Sequence, residues 1–366
     1  MNQSLQADFN HFEKNNRLWL EDFAEFMAIK EHFGNQALQK WDDKKAVARD
    51  PKTLEKYRTM LVDQIQYFKV TQYFFFKQWG ELKDYANQRG IKIIGDMPIY
   101  VAADSVEVWT KPELFQLDKE RNPLFVAGVP ADQFSATGQL WGNPLYDWEE
   151  HKKQGYTWWI HRIEESFKIY DVLRIDHFKG FSDYWQVDGK AEVAKDGSWQ
   201  PGPGYDLFKA VKEQLGDLPI IAEDLGNIDD KARKLLADCN YLGMKILQFG
   251  FEDVSGKSLD SSHYCIPHSI VYTGTHDNDV TNGWYNSLTE QQQQYINDYT
   301  HRSEDESICQ AMIRQLFATV SNTAIATMQD VLDLPASSRM NVPSTIGGNW
   351  QWRMQQSDLT QDKKTF

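Results

Sequence analysis

Apolar positions follow two regimes along this chain. Up to residue 90 they recur every three or four residues. Leu20, Phe23 and Met27 form one stripe with Gly34 behind it as a helix stop, and Leu54, Tyr57, Leu61, Ile65 and Phe68 form a second. Both are the one-sided pattern of amphipathic helices. Asp50-Pro51 gives the second stripe an N-cap and a first-turn proline, aromatic residues at 73–76 thicken it, and Gly90 ends it. Residues 37–50, between the two, read as a polar linker. From residue 91 the pattern changes to short, nearly continuous apolar runs at 91–101, 171–178, 219–225, 244–251, 269–276 and 324–331. These six runs have the composition of buried parallel strands, and helical patterns separate most of them (Leu207, Phe208, Val211 and Leu215 precede the third). Strand followed by helix, repeated, predicts an α/β fold with right-handed crossovers. Residues 102–160, rich in Gly, Pro and Trp, are too long for an ordinary connection and predict an inserted loop subdomain. Residues 180–205 form a smaller excursion, read as a hairpin. The Gly-Pro-Gly at 202–204 lacks the lysine of a phosphate loop and reads as a turn before the next helix.

Four of the runs end in acid: Asp96 in IIGDMPIY, Asp176 in RIDHF, Glu223 in IIAEDLG and Asp277 in TGTHDND. A single such acid is adequately explained as a helix cap, with Arg174 as the salt-bridge partner of Asp176. Four together are not, because like charges repel and collect where chemistry uses them. They fall where an α/β barrel places its active site. Arg174 and Asp176, two apart on a strand, share a face, and a guanidinium favours the ionised carboxylate. Glu223 follows Ile-Ile-Ala, an apolar setting that favours the protonated form; its neighbour Asp224 faces the other way and is the weaker candidate. An ionised carboxylate paired with a protonated one suits retaining glycosyl transfer, which places the two about 5–5.5 Å apart. A third acid would stabilise the positive transition state. A metal hydrolase built on Asp176, His177, His276 and Asp277 is the competing chemistry, weakened by the lack of an HxH pair. His177 and His276 otherwise read as donors to substrate hydroxyls, and a merely structural role stays open for His177.

Composition narrows the partners. A net charge of −14 without a basic cluster argues against nucleic acid. The 13 Trp, 16 Tyr and 20 Phe would suit sugar stacking, although core packing explains any single ring. Cys239, Cys265 and Cys309 are odd in number and scattered, which predicts neither a disulfide framework nor a zinc site and fits the reducing cytoplasm. No apolar run is long enough to span a membrane, and MNQSLQADFN is not a signal peptide.

In order, RIDHFKGF, AEDLG and GTHDND resemble the catalytic strands of the 4-α-glucanotransferases (amylomaltases, or disproportionating enzymes) of glycoside hydrolase family 77. IGDMPIYVAADSVEVW at 94–109, VAGVPADQFSATGQLWGNPLYDW at 126–148 and RMNVPSTIGGNWQWR at 339–353 extend the likeness over nearly the whole chain. The second of these separates it from the α-amylases, which share the barrel. The resemblance implies a TIM (β/α)8-type barrel of the α-amylase superfamily, acting on maltooligosaccharides and other α-1,4-glucans without metal or cofactor. It implies Asp176 as nucleophile, Glu223 as acid/base and Asp277 as transition-state stabiliser. Arg174 and His276 would support the −1 sugar, with Asp96 on the preceding barrel strand. Asp132, Phe134, Trp141 and Asn143 would belong to a loop that closes over the acceptor.

The chain departs from the family pattern at Gln133, where an aromatic residue is usual, and at Ser344, where the NxPGT pattern has glycine. The two barrel strands that open the family pattern have no counterpart before the helical stripes. The expectation is therefore a helical insertion over 1–90, then a barrel portion over 91–366 holding six of eight strands, in a monomer. Two functions of different kinds follow from it: a 4-α-glucanotransferase, or a catalytically impaired glucan-binding fragment. A related α-glucan hydrolase or branching enzyme is the alternative within enzymes.

Overall fold

A computed structural model describes residues 3–131, 137–226, 228–251, 254 and 265–360. The ten strands among them, in chain order, are β1 (Ile94–Met97), β2 (Phe125–Val129), β3 (Gln139–Pro144), β4 (Val172–Ile175), β5 (Asp183–Asp188), β6 (Ser198–Pro201), β7 (Ile220–Ala222), β8 (Leu242–Ile246), β9 (Ser269–Tyr272) and β10 (Thr323–Ile325). Contacts divide the chain into two compact units. The first comprises Met1–Ile220 with Asp230–Cys239, and the second Ile221–Asp229 with Asn240–Phe366.

The first unit opens with helices Gln3–Asn15, Arg17–His32, Pro51–Met60 and Val62–Asn87. The expected caps are present: the Asp50 carboxylate accepts from the Thr53 N–H, and Gly34 and Gly90 turn the chain at positive φ. The second stripe is two helices, broken at Leu61 (φ −111°, ψ 24°). The stretch 37–50 is more than a polar linker. It holds a 3-10 turn, Leu38–Lys40, and a short helix, Lys44–Val47, capped by Asp43. Leu38, Trp41, Ala46 and Val47 are buried, and the Trp109 indole N–H donates to the Ala46 carbonyl. Four apolar anchors among many charges order this segment. Lys69, itself buried, holds the helices together through Glu13 (2.9 Å) and Glu21 (2.7 Å).

In the same unit β1 and β4 run parallel, with Asp96 opposite Arg174. Gly95 is required there, since the Tyr170 ring lies where any side chain would go. The two excursions flanking β4 are one structure: β3, β2, β5 and β6 form an antiparallel sheet in which Phe125–Gly128 of the first excursion pair with residues 185–188 of the second. The turn at 202–204 leads directly into the Tyr205–Leu215 helix, as expected.

The second unit continues the strand–helix alternation. Residues 221–222 of β7 pair parallel with β8, β8 with β9, and β9 with β10. All six apolar runs form shorter strands than the sequence predicts, the run at 269–276 being strand only over Ser269–Tyr272, and two of them show a local reason. β8 ends at Ile246 and is followed by a 3-10 turn at Gln248–Phe251. The last run is strand only over Thr323–Ile325 and helix over Met328–Val331, because Thr327 caps that helix by accepting from the Asp330 N–H. The core here gathers Leu247, Phe251, Val271, Ile296, Ile308, Met312 and Leu316. Among the described residues no helix is long and apolar enough to cross a membrane.

Candidate active site

In the first unit the chemistry gathers at the carboxyl end of β1 and β4. Asp176 is the first residue beyond β4, and its N–H donates to the Met97 carbonyl, extending the parallel ladder by one bond. Arg174 is buried, while the side chains of Asp96 and Asp176 are each 42% exposed. One guanidinium nitrogen lies 2.7 Å from both Asp96 oxygens and 2.9 Å from an Asp176 oxygen. The strand register accounts for this: Asp96 and Arg174 are directly paired, and Asp176 follows two residues on along the same face. Arg174 therefore serves two carboxylates, where the residue spacing alone points to one.

His177 follows in the left-handed conformation (φ 51°, ψ 50°), a conformation that costs energy for a side-chain-bearing residue and recurs at functional sites. Burial pushes its imidazole down to about 4, against a weaker upward pull from Asp176. The Trp141 ring meets it edge-on, 4.8 Å between centroids, and also approaches Tyr100 at 6.4 Å. Trp141 is partly exposed on β3, and Asn143 on the same strand donates to the Val101 carbonyl at 2.9 Å. Asp96, Arg174, Asp176, His177 and Trp141 thus form one connected group. Behind them Lys179, buried, pairs with Asp183 at 2.5 Å and covers the Trp199 ring at 4.5 Å. Asp132 and Phe134, with Gln133 between them, lie outside the described residues.

In the second unit Glu223 is the first residue beyond β7, whose three residues are fully buried. Glu223 is half-buried and accepts from the Leu225 N–H at 2.8 Å. Asp224 is occupied elsewhere, accepting from the Met244 N–H on β8 at 2.6 Å. Asp277 lies in the turn after β9. One of its carboxylate oxygens is 3.4 Å from His276, and the other accepts from the Asn341 amide at 2.6 Å. The Arg339 guanidinium donates to the Asp277 carbonyl at 2.7 Å and to the Asn341 carbonyl at 2.8 Å. The Trp350 ring packs on His276 at 5.0 Å. Arg339, Asn341 and Trp350 were missed as individual residues, although the stretch that carries them, 339–353, matches the family pattern.

A different cluster has metal-ligand potential. His161, Glu164 and Glu165 present ligand atoms within 4.8 Å of one another on a helix of the first unit, where Lys168 already engages Glu165. Three half-exposed or exposed groups with a competing cation make an ordinary helix surface.

The family model described as 4-alpha-glucanotransferase, glycoside hydrolase family 77, matches residues 1–360. The 4-alpha-glucanotransferase of Streptococcus pneumoniae is 53% identical over 354 residues, covering 96% of this chain and 70% of that protein. That of Clostridium butyricum is 42% identical, covering 99% of this chain and 74% of its own length. Among solved structures, an amylomaltase from Streptococcus agalactiae in complex with acarbose superposes on 100% of this chain and 73% of that one, with a TM-score of 0.97 and 57% identity. The fold is accordingly α/β, of the TIM-barrel type, with six barrel strands among the described residues. With the family match over residues 1–360, joined to this structural match, the chain belongs to the 4-alpha-glucanotransferases of glycoside hydrolase family 77.

Proposed function

We propose that the chain moves a segment of an α-1,4-glucan onto the 4-hydroxyl of glucose or of another α-1,4-glucan, by a retaining double displacement with Asp176, Glu223 and Asp277 as its working carboxylates. The observation that carries the reading is the buried Arg174 held between Asp96 and Asp176 at the end of a parallel strand pair. A fixed cation there orients the Asp176 carboxylate before substrate arrives, which is how a nucleophile avoids reorganisation during reaction.

In the first step an Asp176 oxygen attacks C1 of the donor sugar, the C1–O4 bond breaks, and the Glu223 proton passes to the departing O4. In the second step Glu223 takes the proton of the acceptor 4-hydroxyl, whose oxygen attacks C1 and releases Asp176. Asp277 faces the positive charge that builds on the sugar ring in both steps. Arg174, Asp96 and His276 hold the sugar at −1, and His177, neutral at pH 7, offers it a ring N–H. Trp141, half-exposed and polarised by its own hydrogen bond to Gln139 (3.2 Å), supplies an acceptor-side stacking surface with Asn143, Asp132 and Phe134. A loop that admits a sugar hydroxyl and excludes water favours transfer over hydrolysis.

Incubation with maltotriose tests the reaction class. Glucose together with maltodextrins longer than three units is the expected product set. Glucose and maltose alone would mean hydrolysis, and α-1,6 bonds in the product would mean branching. Asp176→Asn should abolish transfer with no change in the circular dichroism spectrum; a variant that kept its rate would remove Asp176 from the nucleophile role. A monomer in the cytoplasm is the accompanying proposal, in keeping with three free cysteines. Sedimentation and fractionation of cells test its two parts.

A further inference from the structure

We propose that Arg339 is a positioning residue, which sets the direction of the Asp277 carboxylate by clamping the backbone of Asp277 to that of Asn341. The inference rests on the role given to Asp277 above. Asp277 is carried by a connection rather than by a strand, since β9 ends at Tyr272. A carboxylate on a loop needs external fixing to hold a geometry within a fraction of an ångström.

Beside the Gln248 amide, which donates to the Asp279 carbonyl at 2.9 Å, and the Trp350 ring on His276, residues 327–341 supply that fixing at two levels. Asp330, 2% exposed, pins the loop at both ends. One of its oxygens accepts from the Thr273 hydroxyl at 2.6 Å, where the loop leaves β9, and the other from the Thr281 N–H at 2.8 Å, where the next helix begins. Arg339 then acts at the middle of the loop. Its terminal nitrogen donates to the Asp277 carbonyl and its Nε to the Asn341 carbonyl, so that one planar group spans the two backbones whose side chains meet at 2.6 Å. The stretch is held together internally by the Gln329 amide, which donates to the Ser338 carbonyl. It is tied back to the helix after the loop by the Asn282 amide, which donates to Asp333 and to the Leu334 carbonyl. Only a guanidinium reaches both carbonyls in fixed geometry; a lysine ammonium is a flexible point charge. A displaced Asp277 would lose more stabilisation of the positive transition state than of the bound glucan, so the effect falls on rate rather than on binding.

The test measures maltotriose disproportionation and calorimetric binding of acarbose and maltotriose by the full chain. Arg339→Met should lower kcat about 30-fold or more while KM stays within about threefold. Arg339→Lys should lose less, and free guanidinium should restore part of the rate to Arg339→Ala, which a merely structural residue would not show. Binding gives an independent reading: the ratio of acarbose to maltotriose affinity should fall in Arg339→Met. Asp277→Asn is run alongside. If it loses rate and Arg339→Met does not, the Arg339 inference is overturned and the function stands. If Asp277→Asn keeps its rate, the role of Asp277 fails and Arg339 falls with it. Equal losses in kcat and affinity for both ligands, without guanidinium rescue, would reduce Arg339 to a fold-stabilising residue and overturn the proposal.

Discussion

Arg174 and Arg339 are both arginines beside a proposed catalytic acid, but they do different work. Arg174 meets carboxylate oxygens directly, two on Asp96 and one on Asp176, and carries the charge the first unit sets against them. Arg339 meets, among the described residues, the Asp277 and Asn341 carbonyls. The difference predicts different responses to the same substitution. Arg174→Lys keeps the positive charge but cannot hold two carboxylates from one planar group, and should cost about 10- to 100-fold in kcat/KM on maltotriose. Arg174→Met removes the charge, leaves two carboxylates facing a buried apolar side chain, and should cost more than the lysine variant. Equal losses for the two would show that the shape of the guanidinium matters and its charge does not. Both carboxylates are substantially exposed, so the effect on folding stability should be the smaller one.

At the scale of elements, local chemistry was legible wherever one residue decides the outcome. Asp50, Pro51, Gly34 and Gly90 mark helix ends in the sequence and in the structure alike. What was illegible is pairing at a distance. The second excursion reads as a hairpin, and β5 and β6 do pair antiparallel, but nothing local shows that β2, more than fifty residues earlier, joins them, since pairing at a distance has no local signature. The segment 37–50 misled for a related reason: Trp41 packs on Phe26 and Trp109, which the local pattern does not contain. In the site, the acids at the ends of β1, β4 and β7 were legible; Asp277 was legible as an acid but not in its placement, since β9 ends at Tyr272 and leaves it in a turn. Asn341 and Arg339 were not, because what recruits them is the spatial neighbourhood of Asp277. The departure at Ser344 shows the reverse case, a sequence observation given a physical meaning by the structure. Ser344 sits at φ 63°, in the left-handed region where glycine is favoured. Ser344→Gly should therefore stabilise the chain by about 0.5–1 kcal/mol, the relief of the left-handed strain exceeding the entropy glycine loses on folding. Thermal unfolding measures it, and a lower Tm for the variant would contradict the reading.

For the molecule as a whole, the acid limb of stability should be set first by histidine and only later by carboxylates. His151 is 1% exposed, enclosed by the rings of Tyr146, Trp148 and Trp158, and burial pushes it down to about 4; His177 stands at about the same value for the same reason. An unfolded histidine binds a proton near 6.5, so below that pH the unfolded state holds more protons than the folded one. The stability these groups contribute is complete above about 6.5 and is lost as pH falls toward about 4, at most about 3 kcal/mol per histidine. Asp50, Asp118, Asp171, Glu150 and Glu306 are held below their ordinary values, chiefly by hydrogen bonds and ion pairs, so their contribution is present above the ordinary carboxylate range and is lost only below it. Glu25 runs the other way. Its burial raises it in spite of Arg58, and protonation there relieves the folded state as pH falls. The net expectation is a decline in urea midpoint that begins between pH 6.5 and 5.5, before any carboxylate of ordinary pKa has titrated. His151→Gln, which removes one such proton without adding charge, should flatten that decline by close to one proton per molecule while leaving the carboxylate limb below pH 4 in place. A variant whose midpoint fell as steeply as the parent's between pH 6.5 and 4.5 would show that the His151 imidazole already carries its proton in the folded chain.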